Sequence, residues 1–412
     1  MTDVPLLAAP AGWPAPPGPP AWQGTAGAIA QTIAPHTEAD PVAILAQTLA
    51  GAGAIIGRGA WMEIEATRHH PNEFVVLVGE SARARKGSSW DHVARLLAHA
   101  DPTLAGRTRT GLSTGEGLIW AARDPHGTDP GCPDERILVV EPEFVSVLKA
   151  TGRDISTLSP VLRAAWDGRP LAILTRTAPA RASNAHITII GHITAAELAQ
   201  HLNTIETANG FLNRFVFIAC RRQRLLPHGG TPDPLAGTGL AERLAANLAR
   251  GRRAGQVHLD PVASPEWADI YCRLADPPAP AITASLQARA EAHVLRLAML
   301  YALCDGTPTI TVAHLQSGLA LWDYAAASIT WATTTTSADP LAERIHTALR
   351  SSTDGLTRTQ LRDLFNRNHP AARVDAALEH LAHTGKAQRH RQNTAGRPAE
   401  IWAAIPPHPA TR

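Results

Sequence analysis

Short runs of consecutive apolar residues recur along the middle of the chain, separated by segments with helical periodicity. The runs are FVVLVG (74–79), ILVVE (137–141), LAILT (171–175), ITIIG (187–191) and RFVFIAC (214–220). Strands that are apolar throughout are buried on both faces, and their alternation with helices is typical of a parallel sheet covered by helices. The pattern therefore predicts an α/β fold with a mainly parallel sheet.

Helical patterns flank this central region, and composition changes along the chain indicate its divisions. The predicted divisions are a disordered Pro-rich lead (1–22), an N-terminal helical segment (23–70), the α/β core (71–280), a helical lid segment (281–338) and a small C-terminal domain (341–406). Asp339-Pro340 indicates a linker before the last domain. No apolar run reaches the ~18 residues of a membrane-spanning helix, so no membrane partner is expected.

The loop after the first strand has the composition of a phosphate-binding site. Its strand ends at Gly79, a polar loop follows, and Lys86-Gly87-Ser88-Ser89 opens an amphipathic helix. Backbone N–H groups at a helix N-terminus bind phosphates, a lysine adds a positive charge, and a hydroxyl can ligate Mg²⁺. Six residues separate Gly79 from Lys86, and the second glycine follows the lysine, so the motif is irregular. A basic surface turn before a helix is the alternative.

Two acidic residues follow the next strand, in ILVVEPEF (137–144). An acid at the carboxyl end of a buried strand beside a phosphate loop reaches Mg²⁺ or the attacking water. Glu141 is the first candidate for the metal-side acid and Glu143 for orienting water, although the two roles could be reversed. The alternative is a pair of glutamates favoured by the dipole of the following helix.

Polar residues next to two later strands extend the candidate site. His192 ends ITIIGH and is a candidate sensor of the γ-phosphate, or else a cap for the helix that starts near Thr194. Arg214 precedes the fifth strand and is a candidate arginine finger, a role that requires a neighbouring subunit.

Two further groups of basic residues each have two interpretations, one functional and one purely structural. One group leaves the fifth strand and either faces DNA or forms a solvated turn: Arg221, Arg222 and Arg224. The other shares one helical face by i, i+4, i+7 spacing: Arg289, His293 and Arg296. That face is either a second arginine sensor or a surface salt-bridge network.

The sequence of the C-terminal domain predicts three helices followed by a β-hairpin, which is the pattern of a winged helix. Thr357 and Gln360 form a capping box for the second helix. Residues 341–412 contain eleven basic and six acidic residues, a net charge of +5, so residues 1–340 carry −3. Four basic residues of the wing would hold DNA phosphates: Lys386, Arg389, Arg391 and Arg397. Protein contacts are the alternative use of this domain.

Composition narrows the class of protein further. The 412 residues carry a net charge of +2, so the chain is not a polycation and any nucleic-acid surface is local. Lysine is rare, and two of the three lysines, Lys86 and Lys386, fall in predicted sites, whereas Lys149 has no assigned role. The four cysteines have no paired spacing, which fits a reducing cytoplasm and argues against a zinc site.

Together these segments resemble a family of uncharacterised P-loop ATPases from plasmids, prophages and integrated elements of GC-rich bacteria. Its members are often fused to, or encoded beside, a bifunctional primase/polymerase domain. The motifs that carry the resemblance are HHPNEFVVLVGESARARKGSSW, GLSTGEGLIWAARD, ILVVEPEF, TLSPVLRAAWDG, HITIIGHIT, NGFLNRFVF and RAEAHVLRLAMLYAL. The resemblance implies a P-loop NTPase core of RecA-like or AAA type and a helicase-like role. Because the chain has no room for a primase domain, we expect any primase/polymerase to be a separate partner.

The leading hypothesis is a cytoplasmic ATPase that acts on DNA during replication of a mobile element, as a homo-oligomer such as a hexameric ring. Its cofactors would be ATP and Mg²⁺. Lys86 would hold the β- and γ-phosphates, and Ser88 and Glu141 the Mg²⁺. The alternative is a winged-helix DNA-binding regulator whose core binds nucleotide as a switch or not at all. A nucleotide kinase is disfavoured because no acceptor-binding lid is evident. Residues 111–124 have no assigned role, although Ser113 or Thr114 would cap their helix.

Overall fold

The computed structural model divides into two compact units, Met1–Thr333 and Thr334–Arg412. The residues it describes are 6–10, 12–153, 155–173, 180–202, 210–275, 281–335, 340–352, 355–365, 370–383, 386–392 and 399–405. The predicted linker lies just after the division between the units, and its Asp339 is outside the described residues.

Helices alternate with short strands along both units. In chain order the helices are α1 (Gly24–Ile33), α2 (Pro41–Ile56), α3 (Lys86–Ala100), α4 (Gly115–Ala121), α5 (Val145–Thr151), α6 (Leu158–Trp166), α7 (Ala195–Leu202), α8 (Leu240–Gly251), α9 (Ser264–Ala275), α10 (Ala281–Gln287), α11 (Ala290–Cys304), α12 (Val312–Thr335), α13 (Pro340–Ser351), α14 (Arg358–Leu364) and α15 (Ala371–His383). The strands are β1 (Ala60–Ile64), β2 (Thr67–His69), β3 (Phe74–Val78), β4 (Thr108–Arg109), β5 (Arg136–Glu141), β6 (Leu171–Ala172), β7 (Arg181–Ala182), β8 (His186–Ile193), β9 (Phe215–Ala219), β10 (Gly255–Gln256), β11 (His258–Leu259), β12 (Thr309–Ile310), β13 (Leu356–Thr357), β14 (Ala387–Gln392) and β15 (Ala399–Ala404).

A five-stranded sheet with only parallel pairings forms the centre of the first unit, in the order β4-β5-β8-β3-β9. Four of the five predicted apolar runs supply its long strands, so the prediction of an α/β fold with a parallel sheet is confirmed. The remaining run, LAILT, contributes the short β6 among its described residues, and β6 pairs antiparallel with β7 in a separate ribbon. Ala172 of β6 is exposed, so this run lacks the two buried faces that its composition predicted.

Helices cover both faces of the sheet because successive strand residues point to opposite sides. Val75 and Leu77 of β3 pack into a core shared with α1, α2, α3, α8, α11 and the first half of α12. Phe74, Val76 and Val78 of the same strand pack into a second core with α4, α5, α6 and α7. The helices of the predicted lid segment therefore share a core with the N-terminal helices rather than forming a separate layer.

The helix α2 crosses the sheet along strands β3, β5, β8 and β9 and is buried throughout, from Val42 to Ile56. It begins at Asp40, whose carboxylate accepts a hydrogen bond from the Val42 N–H at 3.2 Å. Within the described part of the chain, Pro41–Gly59 is long and apolar enough to cross a membrane, but 89% of that window is buried. Packing against the sheet accounts for its apolar composition.

The proline-rich lead contacts the rest of the first unit, which differs from the prediction of disorder for residues 1–22. Among its described residues, the Trp13 ring lies 4.5 Å from the Trp331 ring. The Tyr301 hydroxyl donates a hydrogen bond to the carbonyl of Ala21 at 2.7 Å. Large aromatic side chains bury enough surface to order a short segment despite its composition.

The second unit has the element order α13-β13-α14-α15-β14-β15. Its three strands form an antiparallel sheet in the order β13-β15-β14. Ile345, Leu378 and Trp402 are fully buried in a core of their own. The predicted helices and hairpin are present, and the capping box between Thr357 and Gln360 is confirmed.

Candidate functional site

The loop between β3 and α3 turns tightly at the carboxyl edge of the sheet. A Cβ added to Gly79 would lie 2.2 Å from the carbonyl oxygen of Cys220, so only glycine fits there. Ala82 and Arg85 adopt left-handed conformations, with φ of 53° and 56°. Such backbone costs about 1–2 kcal/mol per non-glycine residue and concentrates at functional sites. The loop ends at Lys86, where the free N–H groups of α3 begin.

The ammonium group of Lys86 lies over the loop that precedes it. Its Nζ donates to the carbonyl of Gly79 at 2.7 Å and to that of Glu80 at 3.3 Å. Burial lowers the pKa of Lys86, while the nearby Glu197 and Glu143 oppose that shift. The amino group of Lys86 is therefore held at the base of the loop, near Glu197 and Glu143.

A cleft of about 340 Å³ opens beside this lysine at the carboxyl edge of the sheet. The residues of the loop line one wall, and those that follow β5 and β8 line the other. The polar side chains that the argument below uses are Lys86, Ser88, Glu143, His192 and Glu197. A volume of this order suits the phosphate part of a nucleotide.

The two serines after Lys86 have different surroundings. Ser88 is exposed and lines the cleft. Ser89 is fully buried, and its hydroxyl donates to the carbonyl of Lys86 at 2.6 Å. A Cβ added to Gly87 would meet no atom within 4 Å, so packing does not require glycine there. Ser88 is thus available to a ligand, whereas Ser89 supports the first turn of α3.

Gln47 of α2 connects the sensor strand to the phosphate loop, and no sequence pattern indicated it. Its Oε1 lies 3.2 Å from Nε2 of His192, and its Nε2 donates to the Ser89 hydroxyl at 2.8 Å. Because Oε1 only accepts, Nε2 of His192 carries the proton and its Nδ1 is the free acceptor. Hydrogen bonds therefore run in one direction from His192 through Gln47 and Ser89 to the carbonyl of Lys86. We call this chain of four residues the buried relay.

Burial, reinforced by the positive charge of Lys86, lowers the pKa of His192 to about 4. The imidazole is therefore neutral at pH 7. It is also nearly inaccessible, with 5% of its surface exposed. The structure places His192 against the cleft, and its hydrogen bond to Gln47 differs from the alternative in which it caps the next helix. Thr194 and Glu197 form that cap instead, with the Thr194 N–H donating to the Glu197 carboxylate at 3.0 Å.

The two candidate acids face different ways. Glu143 is exposed and lines the cleft, whereas Glu141 is buried and its Oε1 accepts the Leu112 N–H at 2.6 Å. Burial raises the pKa of Glu141, and the N–H groups of Leu112 and Gly111 oppose that shift. The structure thus gives the segment 111–124 a role, since its first residues hold Glu141. Thr114 caps α4, as one of the two predicted candidates.

Arg214 lies at the amino end of β9, across the sheet from Lys86, and this placement corrects the expectation of a free arginine finger. Its guanidinium is buried and donates to the Asp167 carboxylate at 2.9 Å and to the Gly210 carbonyl. Arg289 lies 3.8 Å from the same carboxylate. A buried arginine with a two-pronged carboxylate partner is held in place and does not extend to a neighbouring subunit.

The predicted face of α11 is buried rather than exposed. His293 lies 2.9 Å from the Glu73 carboxylate, and Arg296 stacks 3.7 Å from the centre of the Trp166 ring. Arg296 also donates to the Trp166 carbonyl at 2.9 Å. These residues form a polar network inside the first unit, which differs from both a lid sensor and a surface salt-bridge network.

Arg221 and Arg222, two of the three arginines after β9, also have partners within the first unit. Arg222 and Arg85 both contact the Glu38 carboxylate, at 2.5 Å and 2.7 Å. Arg221 donates to the carbonyl of Leu7 at 2.9 Å. The group holds the N-terminal segment and the phosphate loop together, which differs from the DNA-facing alternative.

Two of the four wing residues have described side chains in the second unit. Lys386 and Arg389 are exposed, and Arg389 lies 3.4 Å from the Glu379 carboxylate of α15. Arg391 belongs to β14, opposite Glu400 in the register, and Arg397 is outside the described residues.

No known family model matches this chain, and no curated protein is significantly similar to it. Within the described residues, no group of three or more histidine, cysteine or acidic side chains is placed to hold a metal ion. The cleft at Lys86 does combine a hydroxyl with a carboxylate, in Ser88 and Glu143. This donor set fits Mg²⁺, which retains several waters and takes few protein ligands beside phosphate oxygens.

Proposed function

We propose that the first unit binds and hydrolyses ATP in the cleft at Lys86. The observation that carries the proposal is the convergence of a lysine, a hydroxyl, an acid and a neutral histidine where a parallel sheet ends and α3 begins. Ligands of open α/β sheets bind beyond the carboxyl ends of the strands, and helix N-termini favour phosphates. The close packing at Gly79 and the left-handed backbone of Ala82 and Arg85 also support a phosphate-binding loop.

Each side chain of the cleft has a role that follows from its position. Lys86 would exchange its two carbonyl contacts for the β- and γ-phosphates. Ser88 and Glu143 would hold Mg²⁺, which when bound neutralises charge on the phosphates. Glu143 is also the acid that can orient the attacking water, because Glu141 is engaged by Leu112. His192 would detect the γ-phosphate through its position between the loop strand and the acid strand.

The DNA part of the proposal rests on the second unit. Its order of helices and strands supports the interpretation as a winged helix, and residues 341–412 carry a net charge of +5, against −3 for residues 1–340. Such a domain would insert α15 in a major groove while the hairpin contacts phosphates. We therefore propose a DNA-acting, helicase-like ATPase of a mobile element, working as an oligomer, with a primase/polymerase as a separate partner.

The experiment compares ATP hydrolysis with and without single-stranded DNA, on protein whose oligomeric state is measured in parallel. We expect DNA to stimulate hydrolysis by the wild type, and Lys86→Ala to abolish it. ATP-dependent unwinding of a forked duplex would support the helicase role. DNA-stimulated hydrolysis that survives Lys86→Ala would overturn the assignment of the cleft.

The position of Glu141 favours a second candidate function. Its bond to Leu112 keeps one acid away from the cleft, so nucleotide could bind and be hydrolysed slowly, as in a switch. The chain would then be a winged-helix DNA-binding regulator. Tight, sequence-specific duplex binding without ATP, combined with no unwinding, would favour this function over the motor.

A further inference from the structure

A second cleft, of about 550 Å³, lies at the opposite edge of the sheet from Lys86. Arg136 and His186, the first residues of β5 and β8, line it together with Arg58, which follows α2, Trp61 of β1 and Arg68 of β2. The parallel strands begin here, so this cleft is separate from the one at their carboxyl ends. We call it the amino-edge cleft.

Three arginines that line the amino-edge cleft have no carboxylate within 4.0 Å among the described residues. They are Arg58, Arg68 and Arg252. Arg58 is half-buried and uses its guanidinium on the carbonyls of Gly168 and Ala185, at 3.1 Å and 3.4 Å. Arg68 and Arg252 are exposed. Like charges brought together in this way repel one another unless an anion lies between them.

The remaining charges of the cleft do not cancel this excess. Arg136 is paired with Asp134 at 2.5 Å and lies 3.6 Å from Asp101. Glu135 accepts the Asn184 N–H at 3.0 Å, and its charge acts on Arg58. Asp101 does not line the cleft; among the residues that do, four are arginines and two are carboxylates, which gives a net charge of +2.

The cleft also presents an aromatic ring and a buried acceptor, which a simple phosphate would not need. Trp61 is half-buried, and Arg68 lies 5.1 Å from its ring centre. His70 is buried, its Nδ1 lies 3.2 Å from the Ala60 carbonyl, and its Nε2 has no partner within the described residues. Because Nδ1 must donate to that carbonyl, the neutral ring leaves Nε2 as an acceptor. Cations, a flat ring and an acceptor together match the parts of a nucleotide.

We propose that the amino-edge cleft binds a nucleotide unit, with its phosphate at Arg58, Arg68 and Arg252 and its base against Trp61. The same chemistry is present in single-stranded DNA and in a free nucleotide. A positive groove that carries an aromatic ring is the usual means of binding a single strand without sequence preference. This site is independent of ATP hydrolysis at Lys86, although α2 carries Gln47 of the buried relay behind one cleft and ends two residues before Arg58 at the other.

The test measures fluorescence anisotropy of a labelled oligothymidylate with the full chain over a range of salt concentrations. The variant is Arg68→Gln with Arg252→Gln, two exposed side chains whose loss should leave the fold intact. The matched control is Arg243→Gln with Arg253→Gln, exposed arginines outside the cleft. All proteins carry Lys386→Gln and Arg389→Gln so that the wing contributes little.

We expect the cleft variant to bind the oligonucleotide at least tenfold more weakly than the control. The slope of log K against log salt should fall by about 1.4, because each lost phosphate contact on a single strand removes about 0.7. Trp61→Leu should weaken binding roughly 5- to 150-fold without changing the slope, since stacking is not ionic.

A second arm distinguishes the two sources of the ligand by binding a fluorescent ADP to the Lys86→Ala protein. Loss of oligonucleotide binding in the cleft variant assigns the site to single-stranded DNA. Loss of ADP binding alone assigns it to a free nucleotide. If neither probe responds to Arg68→Gln with Arg252→Gln, the proposal is overturned. Failure of the ATPase proposal would show separately, as hydrolysis that survives Lys86→Ala.

Discussion

The two glutamates after β5 stand two residues apart and yet have opposite environments. Glu143 faces the cleft, whereas Glu141 is buried against the backbone of the 111–124 segment. A carboxylate that touches water can orient the nucleophile or bind Mg²⁺, but one that already accepts a backbone N–H must first be released. Position in the sequence therefore leaves the choice between the two acids open, and under the proposed function the side-chain direction favours Glu143.

Glu143→Gln should lower the ATP hydrolysis rate by at least 10²-fold with little change in ATP affinity, because acid–base residues contribute about 10²–10⁴. Glu141→Gln keeps an oxygen for the Leu112 N–H and should cost less than tenfold. Steady-state kinetics with ATP binding measured separately tests both variants. A larger loss in Glu141→Gln than in Glu143→Gln would reverse the assignment.

Arg214→Ala should lower the free energy of unfolding of the protein. We do not expect it to act by removing an arginine finger from ATP. The change leaves Asp167 without its closest partner but keeps Arg289 at 3.8 Å, so we expect a loss of about 1–3 kcal/mol in the free energy of unfolding. Urea denaturation measures the loss, with the exposed Arg243→Ala as the control. Unchanged stability together with lost hydrolysis would show that Arg214 acts on ATP after all.

At the scale of elements, one buried side chain of α2 connects two elements that border the cleft, β8 and α3. Gln47 lies a third of the way along this buried helix and joins His192 of β8 to Ser89 of α3. The relay fixes the distance between the sensor strand and the phosphate loop. A change detected by His192 would therefore reach the N-terminus of α3 through hydrogen bonds rather than through backbone movement.

Gln47→Leu should destabilise the protein by about 1–3 kcal/mol, because two buried polar groups lose their partner. Combined with His192→Leu, the two changes should cost less than their sum, with a coupling of about 0.5–3 kcal/mol. Denaturation of the single and double variants gives this coupling. Strict additivity would mean that the relay is not a connected unit.

Much of the element structure was predictable because its causes are local. The apolar runs gave four of the parallel strands, and the capping residues marked the starts of α4 and α14. The network of Arg214, Asp167 and Arg289 was not predictable, since arginines bound internally have the same composition as free ones. Gln47 was missed because its neighbours along the chain are apolar and its partners are distant. The prediction of a disordered lead was wrong because Trp13 packs against Trp331 of α12, a contact that is distant in the sequence.

At the scale of the whole molecule, a fall in pH should lower the free energy of unfolding, because buried histidines take up protons more readily in the unfolded chain. Burial lowers the pKa of His70 and of His192 to about 4, against 6.5 for an accessible imidazole. Below pH 6.5 the unfolded chain gains protons that the folded chain does not, so the free energy of unfolding falls until about pH 4. Above pH 6.5 these groups are neutral in both states and contribute no pH dependence.

The variant His192→Gln tests directly whether stability falls with decreasing pH because of His192. Between pH 6 and pH 5, the free energy of unfolding of the wild type should fall by about 1.2 kcal/mol more than that of the variant, close to the 1.4 kcal/mol per pH unit of one proton. Thermal or urea denaturation at several pH values measures the difference. Equal slopes would show that His192 is protonated in the folded state.

The arrangement of the first unit supports one central claim, that the cleft at Lys86 holds the phosphates of ATP. Equilibrium binding of Mg²⁺-ATP, measured by calorimetry on wild type, Lys86→Ala and the matched Lys149→Ala, tests it most directly. Lys149 is an exposed lysine outside the cleft. We predict that Lys86→Ala weakens binding at least tenfold and that Lys149→Ala binds as the wild type does. Equal affinity in all three proteins would contradict the claim.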